Sequence, residues 1–144
     1  MQDGIHLPTA KTRQRHGERQ VIRVMQTASQ LLPAEITVRE ALERVRSSGV
    51  RTWLVMDRRG VVGVINLARL ERELAEGADK KLGELTDALV FPHVHPDQTL
   101  DLALERMGAN QIELLPVVNR AEMHKLEGMI TLRDVLDAYG VSRA

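Results

Sequence analysis

The chain contains one unit twice. Val38-Arg39-Glu40-Ala41-Leu42-Glu43-Arg44-Val45 lies over Leu100-Asp101-Leu102-Ala103-Leu104-Glu105-Arg106-Met107, an offset of 62 residues. That offset holds without a gap to Val55-Met56-Asp57 against Val117-Val118-Asn119. Beyond it, Gly63-Val64-Ile65-Asn66-Leu67 lies over Gly128-Met129-Ile130-Thr131-Leu132 at an offset of 65, so the second copy carries three extra residues in the intervening loop. A unit of roughly sixty residues exceeds solenoid repeats, which run about 20–50 residues. It is the size of a small domain, present twice.

Both copies predict the same order of elements. A short segment before a helix, Pro33-Ala34-Glu35-Ile36-Thr37 or His95-Pro96-Asp97-Gln98-Thr99, ends in a threonine whose hydroxyl can cap first-turn amides. Val38, Ala41, Leu42 and Val45, like Leu100, Ala103, Leu104 and Met107, fall at helical spacing. Apolar strands follow at 52–56 and 114–118, whose unbroken apolar character predicts burial on both faces. After a polar turn come second strands at 61–65 and 126–130, and a last helix from Asn66 to about Leu74 or from Thr131 to about Tyr139, with Gly77 and Gly140 as stops. Two short helices cannot cover one sheet, so the copies are expected to stack sheet on sheet with helices outside. The predicted fold is α+β, an α/β sandwich of two β-α-β-β-α repeats with pseudo-two-fold symmetry and equivalent clefts between them. Residues 1–20, basic and without apolar period, are an arm or linker; the repeats are 21–79 and 80–144.

Composition removes several functions. Lys+Arg and Asp+Glu are 20 each, leaving none of the cationic surplus that non-specific nucleic-acid binding or a polybasic membrane anchor requires. There is no cysteine, which excludes disulfides, thiolate catalysis and Cys-based zinc sites. Trp53, Phe91 and Tyr139 are the only aromatic residues, too few for a base-stacking platform. Apolar runs such as Trp53-Leu54-Val55-Met56 fall far short of the about 18 residues of a membrane helix, and the N-terminus lacks a signal peptide's apolar stretch. A cytoplasmic location is expected.

At Leu115-Pro116-Val117-Val118-Asn119 and Gly128-Met129-Ile130-Thr131-Leu132-Arg133-Asp134-Val135-Leu136 the chain resembles a tandem pair of CBS domains, a Bateman module, over about residues 21–140. The family writes these motifs L-P-V-V-D and G-x-x-T-x-x-D-h-h. Gln2-Asp3-Gly4-Ile5-His6-Leu7-Pro8, a basic stretch and then Val21-Ile22-Arg23-Val24-Met25 resemble the segment leading into the cytosolic CBS pair of bacterial chloride channels and chloride/proton antiporters. The resemblance implies a regulatory, non-enzymatic module acting in cis on a membrane transporter domain, at the cytosolic face of the inner membrane. It also implies a homodimer, for which Val135, Leu136 and Ala138 offer candidate contact surface.

Thr131 and Asp134, three apart at a helix start, share one face. A carboxylate there can accept hydrogen bonds from two ribose hydroxyls, and the helix N-terminal amides with the Thr131 hydroxyl can meet a phosphate. Equally, Thr131 can be an N-cap and Asp134 a first-turn acid, as in many helices. The resemblance implies the first reading: the family's Thr and Asp contact phosphate and ribose of AMP, ADP, ATP or related adenosyl ligands. Arg133 lies inside the same motif. An adenine ring would lie against Val117 and Ile130, with Pro116 adjacent, and Arg51, opposite by pseudo-symmetry, is a candidate phosphate partner. Copy one has Asn66 and Arg69 at the Thr and Asp positions and Leu54 at the Pro116 position; a guanidinium cannot accept from ribose, so that site is expected to be empty or altered.

His93 and His95 alternate with Val94, so on a strand both imidazoles face one side and can begin a metal site; solvated histidines are the other reading. Trp53 is expected in the core, and the hairpin tip Glu122-Met123-His124-Lys125 in solvent. No Gly-rich phosphate loop, G-x-S-x-G or H-E-x-x-H occurs, and no obligatory cofactor or metal is expected. The leading function is adenosine-nucleotide sensing. The alternatives are a ligand-free dimerisation module and a metal-linked enzyme using His93 and His95.

Overall fold

The computed structural model describes residues 18–140. Most of the arm, including the motif from Gln2 to Pro8, lies outside the described residues, as do residues 141–144. In the first repeat, β1 (Leu31–Pro33) leads to α1 (Val38–Val45), the hairpin β2 (Thr52–Asp57) and β3 (Gly60–Asn66), and α2 (Leu67–Gly77). The second repeat has α3 (Leu100–Asn110), the hairpin β4 (Leu114–Val118) and β5 (Leu126–Thr131), and α4 (Leu132–Ala138). The fold is mixed α+β. β1 pairs parallel to β2, and β2 pairs antiparallel to β3. β4 and β5 form a second antiparallel ladder. The counterpart of β1 in the second repeat shrinks to one parallel bridge, Val94 to Val117, where the first repeat pairs Leu32 with Val55.

Each main helix starts at a residue able to satisfy its orphan amides. The side chains of Thr37, Asn66, Thr99 and Thr131 accept from the backbone N–H of Glu40, Arg69, Leu102 and Asp134, respectively. Thr37 and Thr131 are in full capping boxes, since the carboxylates of Glu40 and Asp134 accept the cap's own N–H.

Three apolar clusters hold the chain. α1 and α2 close on the first sheet around Val38, Ala41, Trp53, Val55, Ile65 and Leu70. α3 and α4 close on the second around Leu100, Met107, Leu115, Val117, Ile130 and Val135. Between the sheets lie Leu54, Val61, Phe91, Leu114, Val118 and Met129. Val135 and Leu136 are 0% and 1% exposed, so neither serves the dimer contact expected of it: α4 turns both into the chain's own interior, and Ala138 of the same expected surface packs half-buried on the second repeat's cluster.

The segments leading into the repeats cross over. Val21, in the opening segment of the first repeat, is fully buried in the second repeat's cluster; Leu82, in the opening segment of the second, is fully buried in the first repeat's. The backbone repeats this exchange. Val21 N–H donates to Gln98 O (2.8 Å) and Leu100 N–H to Arg19 O (2.9 Å), while Leu82 N–H donates to Ile36 O (2.9 Å) and Val38 N–H to Lys80 O (2.9 Å). The pseudo-two-fold is therefore a reciprocal clasp. It also explains two glycines: a Cβ at Gly128 would stand 2.8 Å from Gln26 O, and one at Gly63 would stand 2.5 Å from the Thr86 side chain. At both places the other repeat's lead segment runs flat against the strand.

Candidate functional site

Where the two repeats meet, a cleft of about 400 Å³ opens between the loop entering β2 and the start of α4. Gly49, Val50, Arg51 and Thr52 line it from the first repeat; Glu113, Leu114, Thr131, Leu132, Arg133 and Asp134 line it from the second. Gln26 and Gln30, on the first repeat's lead segment, complete the wall.

Two backbone bonds of equivalent design fix its centre. Leu67 N–H donates to Arg51 O (2.8 Å) and Leu132 N–H to Glu113 O (2.9 Å), so each last helix is tied to the residue just before its own hairpin. Gln30 is held by a Nε2 bond to Thr52 O (2.9 Å) and its own carbonyl accepts Leu54 N–H (2.8 Å). The lead segment is pinned four residues earlier by mutual backbone bonds between Gln26 and Met129, both 2.8 Å.

Thr131 Oγ1 accepts the Asp134 N–H at 3.1 Å, which leaves its O–H to donate elsewhere. Asp134 Oδ2 accepts two hydrogen bonds, from Thr131 N–H (2.9 Å) and from Gln26 Nε2 (2.8 Å). Its Oδ1 accepts none among the described residues. The start of α4 offers little to an anion through its amides, because Leu132 N–H is taken by Glu113 O and Asp134 N–H by Thr131 Oγ1. An anion entering here would meet side chains instead: Arg51, and Arg133, whose Nε lies 3.8 Å from Asp137 Oδ2. Formal charges cancel across the lining, Arg51 and Arg133 against Glu113 and Asp134.

Of the residues singled out from sequence, Arg51, Thr131, Arg133 and Asp134 come together on this cleft. Pro116, Val117 and Ile130 do not line it. Val117 and Ile130 are both 0% exposed and belong to the helix-covered core of the second repeat. Pro116 is buried mid-strand, its carbonyl accepting Val94 N–H (3.1 Å). A flat ring in the cleft would touch Val50, Leu114 and Leu132. Gln26, Gln30 and Glu113 escaped the sequence reading. Their placement follows from the crossing of the lead segment and from the symmetry mate of Arg51, 62 residues on.

At the equivalent place in the first repeat, Asn66 Oδ1 caps Arg69 N–H (2.8 Å), and Arg69 Nε reaches back to Glu73 Oε2 (2.9 Å). The guanidinium beside Glu73 holds that carboxyl below its ordinary value. A basic side chain tied to its own helix thus stands where the second repeat has an acid.

The histidines form a separate group. The ring centroids of His93 and His95 are 5.0 Å apart, and Phe91 lies 5.4 Å from His93 and 6.0 Å from His124. The Nδ1 atoms of His93, His95 and His124 face the carbonyls of Phe91 (2.8 Å), Val118 (3.0 Å) and Val61 (2.8 Å). Among the described residues no group of three or more His, Cys, Asp or Glu side chains is placed to hold a metal ion. No helix among them is long and apolar enough to cross a membrane.

The CBS domain family model matches residues 21–76 and 85–141. The chain has no significant match among curated protein sequences. Among solved structures it is similar to the CBS domain pair of protein MJ0100 in complex with 5′-methylthioadenosine and S-adenosyl-L-methionine, at 20% identity and a TM-score of 0.66, covering 85% of this chain and 96% of that one. It is also similar to a CBS domain pair/ACT domain protein of Thermotoga maritima, at 26% identity and a TM-score of 0.66, covering 83% and 95%. The CBS domains of a transcriptional regulator of Streptococcus pneumoniae are similar at 22% identity and a TM-score of 0.63, covering 83% and 98%.

Proposed function

The chain belongs to the CBS domain family, as a tandem pair, and on that premise we propose that it is a regulatory module binding an adenosine nucleotide between its repeats. The observation that carries this reading is the meeting of Asp134 and Thr131 with Arg51 across one cleft. The Asp134 carboxylate is the ribose acceptor, the Thr131 O–H and Arg51 are the phosphate donors, and Val50, Leu114 and Leu132 flank the base. The adenosyl ligands held by the MJ0100 pair support the class of ligand. Occupancy acts by changing how the two halves, or two chains, pack, a coupling typically of about 1–3 kcal/mol. The first repeat's site, with Arg69 in place of the acid, takes no ribose.

The partner in cis is proposed from the arm alone: its likeness to the approach to a chloride transporter's CBS pair favours a membrane transporter, with the module on the cytoplasmic side. None of the similar structures named above is described as a transporter. A homodimer is proposed from the family.

Calorimetric titration of AMP, ADP, ATP and S-adenosylmethionine tests the site. Binding by wild type and a loss of about tenfold or more in Asp134→Ala is expected, a hydrogen bond to a charged group being worth about 1.5–3 kcal/mol. Equal affinities in the two proteins would reject the ribose role. The ligand-free dimerisation module is the second reading. It is favoured by Leu89 and Val90, adjacent and 77% and 76% exposed in the link between repeats, and by the engagement of Asp134 in its own helix cap. Absence of any concentration-dependent rise in thermal midpoint with these ligands selects it.

A further inference from the structure

Asp134 already has a ligand of its own. Gln26 Nε2 donates to Asp134 Oδ2 at 2.8 Å from a segment that precedes it by 108 residues. Oδ2 is the same oxygen that accepts Thr131 N–H at 2.9 Å, so its two lone pairs are filled. A vicinal diol engages a carboxylate best with one hydroxyl on each oxygen, and here one oxygen is occupied. The Gln26 backbone cannot drift aside: Gln26 N–H donates to Met129 O and Met129 N–H to Gln26 O, both at 2.8 Å, over Gly128, where a Cβ would stand 2.8 Å from Gln26 O. Only the side chain is free to leave, and it is exposed.

Resting on the cleft being an adenosine site, we infer that Gln26 is a built-in competitor for the sugar diol. Its carboxamide holds Asp134 while the cleft is empty and swings out when ribose hydroxyls take over both carboxylate oxygens. Binding is weakened by the contact it must displace. Occupancy is thereby registered at the Gln26 side chain, while its backbone stays bonded to Met129.

The experiment is a cycle of two ligands and three proteins, read by calorimetry on the full chain. The ligands are AMP and its 2′,3′-dideoxy analogue; the proteins are wild type, Gln26→Ala and Gln26→Asn, the last being too short to reach Asp134. With the competing donor removed, AMP is expected to bind about tenfold tighter to both variants. The dideoxy analogue, with no hydroxyls to compete, is expected to bind all three proteins alike. Equal or weaker AMP binding by the variants, or a gain that appears equally with the analogue, overturns the role of Gln26 while leaving the cleft as the site. Failure of AMP to bind any of the three proteins overturns Gln26's role as stated, and failure of ADP, ATP and S-adenosylmethionine as well overturns the cleft reading.

Discussion

Burial and a carbonyl act in opposite directions on His93. Desolvation pushes its imidazole below the ordinary value; the Phe91 carbonyl pulls it back up, and the neighbouring His95 and Arg106 push it down again, with the net effect downward. Arg106 is fixed there by donating Nη1 to His93 O at 2.7 Å. Below about pH 6.5 the unfolded chain therefore takes up a proton that the folded chain resists. Stability falls as pH drops from that value through the lower folded one. Thermal melts from pH 7.5 to 5.5 are expected to show a declining midpoint that is shallower in His93→Asn; an unchanged slope in the variant would remove His93 as the cause. Asp57 and Asp97, held low by Arg59 and Arg120, respectively, lose their contribution only at more acid pH. Side-chain chemistry was legible in the sequence as type and spacing: Thr131 and Asp134 are where the motif placed them. The face of the second strand was not legible. Leu114 to Val118 is buried throughout, so apolar parity cannot say which residues meet the cleft. Val117 faces the helices, and Leu114, three positions earlier, faces the cleft.

At the scale of elements, short-range rules did most of the specifying. Each helix start was marked by a residue whose side chain can cap, and all four do so. The hairpins follow from apolar runs separated by turn residues. The ends were less well marked: α3 continues to Asn110 and stops at Gln111, which adopts φ 55° without being glycine. The strand preceding the helix survives as β1 in one repeat and as a single bridge in the other, a difference in pairing that no local pattern encodes. The T-x-x-D spacing is also ambiguous, because a capping box, which Thr131 and Asp134 form, and the proposed ribose acceptor need the same two residues. This makes Thr37, boxed with Glu40 outside the cleft, the cleaner probe of capping. Thr37→Ala should cost about 1 kcal/mol and Thr37→Ser much less, measured by urea unfolding. A cost for Ser matching that for Ala would show that the methyl group, and not the hydroxyl, matters at this position.

For the whole molecule, the reciprocal clasp decides how the chain unfolds. The first repeat's core is closed by Leu82, from the opening segment of the second; the second repeat's core is closed by Val21, from the opening segment of the first. The duplication announces two like halves, but nothing in a repeat offset says that each half lends a segment to the other, since Leu82 reaches back 46 residues to Ile36 and Val21 reaches forward 77 to Gln98. Because neither core is complete on its own, the two halves should melt together. Trp53 is 4% exposed in the first core and is the only tryptophan, so its fluorescence reports on that half, while far-ultraviolet dichroism reports on α1 to α4 together. The two urea transitions should coincide. Leu82→Ala leaves a cavity in the first core and should destabilise by about 2–5 kcal/mol, moving both probes by the same amount. If the fluorescence transition moved alone while the dichroism kept a second, unshifted step, the halves would be independent domains. A ligand in the cleft between them could then stabilise one without the other.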